Sequence, residues 1–308
     1  MSKSGDQERS AYISRSLSKS CSEAVDFLAR ALQEKYPGSA VLLYGSGNSV
    51  LSHKDPSEVL FDFYVITPSY QETYKSRFLA FLNYCIPPNV FYLEENFSGG
   101  ALRAKYAILS ISHFEKLVSK KTFHSYFWAR FAQPSLIVAA PEDMRRRIQG
   151  CVETAIDTFV ARAAPLADAG APTSQIWHRG LTHSYRAELR AEQPGRVDDL
   201  LESYGEWPAE VTRLEIAGKT TSPGANNRSK LAWQLRAVQG AFLSVIRLLK
   251  GTITFQGGVD YIAWKISRHA GFSLPVKNWE RRYPILGAPF LGARYYRMKR
   301  QAGARRAE

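Results

Sequence analysis

The residues best suited to chemistry begin with Tyr44-Gly45-Ser46-Gly47, which closes one apolar run. Asp62 follows fifteen residues after Gly47, inside the next run, "LFDFYVIT". A Gly-Ser-Gly turn lets backbone N–H groups come close to a phosphate, because glycine lacks Cβ and reaches positive φ without strain. A carboxylate on the following strand can hold Mg²⁺ against that phosphate. One feature departs from a paired-acid strand: Tyr64 stands where a second acid would alternate with the first. On this stretch alone, Asp62 reads either as a metal ligand or as an ordinary solvated strand residue.

The elements that must carry these residues follow from periodicity. Residues 19–36 place Ala24, Val25, Phe27, Leu28, Ala31 and Leu32 at helical spacing, and Pro37-Gly38 ends that helix. "AVLLYG" and "VLFDFYVIT" read as strands, "SYQETYKSRFLAFLNYC" as a helix closed by Pro87-Pro88, and "NVFYLEE" and "RAKYAILSI" as two strands flanking Gly99-Gly100. From "SHFEKLVSKK" onward the chain reads as helical. The clearest amphipathic segment there carries Ile148, Val152, Ala155, Ile156 and Phe159 on one face. "QIWHRGLTHSYRAELRAE" is a further helix, residues 220–230 read as a linker, and two more helices follow.

Across 308 residues, 41 Lys and Arg outweigh 28 Asp and Glu, a net charge of +13. That excess favours anionic partners: nucleotides, nucleic acid or an anionic membrane surface. Cys21, Cys85 and Cys151 are odd in number and scattered, which argues against a disulfide framework and against structural zinc. His178 and His183 are five apart, off the i,i+4 spacing by which two helical ligands share a face, so they are rejected as a metal pair. The first residues lack the apolar core of a signal peptide, and no stretch is apolar enough to span a bilayer, so a soluble or peripheral protein is expected.

In order along the chain, "YGSG", "FDFYVI", "RAKYAILS", "ARFAQP" and "GLTHSYRAELR" resemble the motifs of the mitochondrial-type phosphatidate cytidylyltransferases, members of the nucleotidyltransferase superfamily. The matching residues are Tyr44 to Gly47, Asp62 to Val65, Lys105-Tyr106 with Ser110, Arg130 with Gln133-Pro134, and Tyr185, Glu188 and Arg190. That family also lacks the second acid directly after the first. Three positions depart from its pattern: Ala107 stands for Gly, Glu188 for Asp, and Pro68 where an acid often follows the strand.

The resemblance implies an α+β architecture. A nucleotidyltransferase-like mixed sheet with helices would occupy residues 1–136, and a mostly helical domain residues 137–219. A helical region with a basic, membrane-proximal C-terminal segment would fill residues 220–308. It also implies an Mg²⁺-dependent enzyme that converts CTP and phosphatidic acid to CDP-diacylglycerol and pyrophosphate. Asp62, Lys105 and Glu188 would be catalytic, with Asp62 and Glu188 holding the metal. Tyr44, Gly45, Ser46 and Gly47 would bind the nucleotide, and Arg130, Tyr185 and Arg190 the substrate phosphate.

The basic end adds Trp279, Tyr283, Phe290, Leu291, Tyr295 and Tyr296, interleaved with eight Arg or Lys residues between Arg281 and Arg306. Aromatics among cations suit a surface of anionic lipid, and a lipid phosphate as substrate makes that the preferred reading over RNA. The expected location is the inner membrane face of a bacterial cytoplasm, or the matrix side in a mitochondrion. Two alternatives stand beside this: transfer of a nucleotide to another small acceptor, or a catalytically degenerate member of the fold that binds lipid or RNA.

Overall fold

The computed structural model describes residues 3–45, 55–168, 170–188, 195–213, 225–254, 258–270 and 274–304. Its centre is one mixed sheet of five strands in the order β3-β4-β2-β1-β5. These are β1 (Ala40–Tyr44), β2 (Leu60–Thr67), β3 (Asn89–Phe97), β4 (Gly100–Ser110) and β5 (Ser135–Ala139). β2 and β4 run parallel and all other pairs are antiparallel. The other regular elements among the described residues are helices, which makes the chain α+β.

Helix α1 (Lys3–Leu17) precedes the expected first helix, which is α2 (Glu23–Lys35). α2 buries Val25, Leu28, Ala29 and Leu32 at i, i+3, i+4 and i+7, the stripe that packs on the sheet. α1 is polar along most of its length and is held by few residues. Ile13 and Leu17 enter the core, while the buried Arg9 donates from Nε to Val211 O at 2.7 Å and pairs with Asp157 at 2.8 Å.

Between β2 and β3 lie α3 (Tyr70–Thr73) and α4 (Arg77–Cys85), capped by Ser69 and Ser76, whose hydroxyls accept from Glu72 N and Leu79 N. After β4 come α5 (Ile111–Val118) and the short α6 (Trp128–Phe131). Two sequence expectations need correction here. The run "SLIVA" after Pro134 is not helical but is the edge strand β5, paired with β1, and the expected boundary at 136/137 falls inside it. Of residues 220–230, read as linker, 225–230 already belong to a long helix, and 220–224 lie outside the described residues.

The helical layer is α7 (Glu142–Ala163), α8 (Thr173–Ala187), α9 (Arg196–Tyr204), α10 (Trp207–Val211), α11 (Ala225–Thr254), α12 (Gly258–Ala270), α13 (Asn278–Arg282) and α14 (Pro284–Ala304). α7 buries Ile148, Val152, Ala155, Ile156 and Phe159, the face expected from its sequence. One contiguous core joins sheet and helices, from Ile13 through the strands to Trp177, Trp207 and Trp233. Among the described residues no helix is long and apolar enough to cross a membrane.

Candidate functional site

The strand register assembles the first half of the site. Asp62 on β2 is the in-register parallel partner of Lys105 on β4, and Lys105 pairs in turn with Tyr92 on β3. β1 pairs Leu42 with Tyr64 and Leu43 with Phe63, so the next step along β1 brings Tyr44 beside Asp62. Tyr44, Asp62, Lys105 and Tyr92 therefore form one row across four strands. β4 lies inside the sheet, so Lys105 is not the water-facing charge of an edge strand.

Lys105 Nζ lies 2.9 Å from Asp62 Oδ1, off the direction of a well-aligned hydrogen bond, so the contact is an ion pair. Each side chain keeps about a third of its surface in solvent. Burial works against the Lys105 ammonium, but the Asp62 carboxylate and Tyr44 more than offset it, so its pKa is raised. Burial, reinforced by Asp62, pushes the Tyr44 phenol up to about 12.

Gly45 follows β1 at φ +82°, a conformation that only glycine adopts without strain. A Cβ there would lie 3.9 Å from Asp62 Oδ2, so the missing side chain leaves the backbone open beside the carboxylate. Ser46, Gly47 and Arg190 lie outside the described residues.

Arg130 on α6 and Glu188, the residue that caps α8, supply the second half. Arg130 Nη2 is 2.8 Å from Glu188 Oε2, with the side chains only 10% and 12% exposed. The Arg130 guanidinium also lies 4.4 Å from the Tyr126 ring centre and 5.4 Å from that of Tyr44. Burial opposes its charge, yet the surrounding tyrosines and Glu188 raise its pKa well above the ordinary value.

Tyr64, which replaces the alternating acid, is fully buried. Its ring sits 4.7 Å from Tyr44 and 4.8 Å from Phe131. An apolar aromatic floor thus occupies the place where a second strand carboxylate would stand. Gln133 fixes the far wall: its Oε1 accepts from Tyr185 Oη at 3.2 Å and from Tyr204 Oη at 2.6 Å, while its Nε2 donates to Ala129 O.

These residues open into one cavity of about 720 Å³. Tyr44, Gly45, Asp62, Lys105, Arg130, Tyr185 and Glu188, all nominated by sequence, line it together. So do Lys19, in the loop just after α1, and Arg196, at the start of α9, which sequence reasoning missed. Both lie outside any motif, and only the packing of α1 and α9 brings them here. Among the described residues, four lining cations stand against two carboxylates, which suits an anionic ligand. A second cleft of about 990 Å³ lies beyond the other ends of β2 and β4, between α3, α4 and α5. Tyr70, Tyr74, Phe81 and Tyr84 line it among serines, Arg77 and Lys116, and it holds none of the nominated catalytic or binding residues, so the motifs favour the first cavity.

Among the described residues no three His, Cys, Asp or Glu side chains gather as a cation cage. Mg²⁺ asks for less, one or two carboxylates completed by substrate phosphates and water. Asp62 fits that requirement, since its Oδ2 faces the open backbone at Gly45. Glu188 fits less well, because Arg130 already engages its Oε2. Compared with known proteins, the chain matches no protein-family model and no curated protein.

Proposed function

We propose that this chain is a nucleotidyltransferase that joins CTP to phosphatidic acid at a membrane surface, releasing pyrophosphate. The observation that carries the reading is the meeting of the Tyr44–Asp62–Lys105 row, the open Gly45 backbone and the Arg130–Glu188 pair in one cation-rich cavity. The nucleotidyltransferase-like character of the sheet is part of the same proposal. It rests on the order of motifs and on this convergence.

In the proposed reaction an oxygen of the lipid phosphate attacks the α-phosphorus of CTP. The new O–P bond forms as the bond to the pyrophosphate oxygen breaks. Little covalent chemistry falls to the protein, whose task is to position two anions and match developing charge. The backbone N–H at Gly45 faces the triphosphate. Lys105, held by Asp62, presents its ammonium to a phosphate oxygen, and Lys19 and Arg196 draw the anionic substrates into the cavity mouth. Arg130 is fixed by Glu188, Tyr44 and Tyr126 and gives a rigid fork on the opposite wall. Mg²⁺, when bound at Asp62, would neutralise phosphate charge as pyrophosphate departs.

Membrane proximity is supported by α13 and α14, where Trp279, Tyr283, Leu286, Phe290 and Tyr296 are exposed among arginines and lysines. A second reading, a binding protein on the same fold, is favoured by one observation: each site carboxylate is already matched by a cation. Mass spectrometry of the lipid fraction after incubation with CTP, Mg²⁺ and phosphatidic acid in mixed micelles separates the two. CDP-diacylglycerol is expected. Intact phosphatidic acid with no nucleotide adduct sinks the enzyme reading.

A further inference from the structure

Helix α11 is inside out. Past its exposed Arg228 and Lys230 the charged residues turn inward: Arg236, 2% exposed, donates from Nε to Phe123 O at 2.8 Å and lies over the Trp233 ring. Arg247 donates to Pro87 O at 2.9 Å and stacks 3.9 Å from the Tyr126 ring centre. Lys250, 6% exposed, reaches Pro88 O at 2.7 Å and also bonds Ile86 O. On the same inner side Gly240 packs on the Ala187 backbone, where a Cβ would have no room, and Ser244 Oγ donates to Glu188 O.

The opposite face carries Leu231, Leu235, Val238, Phe242, Val245 and Leu248, each between 50% and 73% exposed. No charged residue is exposed between Leu231 and Leu248. The first five are spaced 4-3-4-3, the a/d repeat of a helix that packs against another helix. A solvated helix shows the reverse arrangement, with charges outward and the apolar stripe inward.

We propose that this stripe is a self-association seam, and that the protein is a dimer of identical chains paired α11 to α11. Three observations choose a second copy over lipid. A helix that rests on an anionic bilayer carries cations along the rim of its apolar face, and here the cations of the exposed span are turned into the protein. The 4-3-4-3 spacing is a demand for a helical partner, which a fluid surface does not make. Six such side chains present roughly 600 Å² of apolar surface, at the top of what a monomer's largest patch reaches and most of the ~800 Å² that each partner gives to a standard interface.

The stripe is also uncharged, so pairing it with itself across a two-fold axis sets no like charges together. With the axis near Val238 in an antiparallel pair, Leu231 meets the partner's Val245 and Leu235 meets the partner's Phe242. Because the inner face of α11 backs Ala187 and Glu188, the seam would also brace the helix end that holds the cavity wall.

Analytical ultracentrifugation of the full chain tests this at about ten micromolar, above the micromolar weak end of the affinities that interfaces of standard size show. Wild type is expected at twice the 34.6 kDa chain mass. Val238→Glu and Phe242→Glu are expected at the monomer mass, with dissociation at least a hundredfold easier and helical circular dichroism unchanged. Phe290→Glu on α14 should leave the dimer intact. A monomeric wild type overturns the proposal, as does a dimer indifferent to both α11 variants. Co-sedimentation with phosphatidic-acid vesicles runs alongside; a monomeric wild type whose vesicle binding is lost in Val238→Glu would assign the face to lipid instead.

Discussion

Lys105 and Asp62 are partners because β2 and β4 run parallel with these two residues in register, Nζ to Oδ1 at 2.9 Å. The pair is a third exposed, so its Coulomb energy is screened and its value to folding is small. Its consequence is positional: the ammonium is held against Asp62 in the cavity lining. Lys105→Met should therefore leave the melting temperature within a few degrees of wild type. Turnover should fall by roughly a hundredfold or more, as for loss of one preorganised charge donor. A melting temperature that collapses while turnover survives would contradict this role.

The Arg130–Glu188 pair behaves oppositely. Both side chains are almost out of solvent, so Glu188→Ala strands a buried guanidinium among Tyr44, Tyr64 and Tyr126. Removing one partner of a buried pair costs about 3–5 kcal/mol. Urea unfolding should show that loss, and Arg130→Met combined with Glu188→Leu should recover much of it. Equal stability of Glu188→Ala and wild type would mean that the pair is not closed in solution.

Tyr64 sits where a paired-acid strand would place its second carboxylate, yet its ring is packed between Tyr44 and Phe131. Tyr64→Asp should not improve metal-dependent activity. It removes a packed ring and buries a charge, and should cost at least about 3 kcal/mol in chemical denaturation. An active, stable Tyr64→Asp protein would show that the floor tolerates a metal ligand.

Two histidines, the buried His113 and the half-buried His124, set an acid limit. Burial lowers His113 and His124 from 6.5 to about 4, with Lys116 acting further on His113 and Arg247 on His124. The unfolded chain binds these protons first, so the stability that neutral histidine provides is complete above pH 6.5 and drains away as pH falls toward 4. Each contributes on the order of 3 kcal/mol across that window. Thermal melts of His113→Gln against wild type should converge as pH drops from 6.5 to 4. Parallel curves would place the acid sensitivity elsewhere.

The sequence exposed the strands well because β1, β2 and β4 are apolar runs bounded by turns. It exposed Asp62 and Lys105 only as members of motifs. Their partnership depends on the parallel register of β2 with β4, which no local pattern encodes. β5 was hidden because four apolar residues after Ser135, between two helical stretches, fit either period, and pairing with β1 decides the matter. α1 was hidden for the opposite reason: it is polar, and tertiary contacts of Arg9, Ile13 and Leu17 hold it. Lys19, in the loop after α1, and Arg196, at the start of α9, reach the cavity from positions about 180 residues apart in sequence. The inversion of α11 was equally unreadable, since a helix with an apolar stripe and a cationic stripe does not say which one faces inward.

The most direct measurement is pyrophosphate release by the purified protein with Mg²⁺, phosphatidic acid in mixed micelles and each of the four nucleoside triphosphates in turn, with Asp62→Asn alongside. Release with CTP alone, dependent on the lipid and absent in Asp62→Asn, is the expected result. Silence with every triphosphate, or release that Asp62→Asn leaves untouched, would contradict the assignment of this cavity to nucleotidyl transfer.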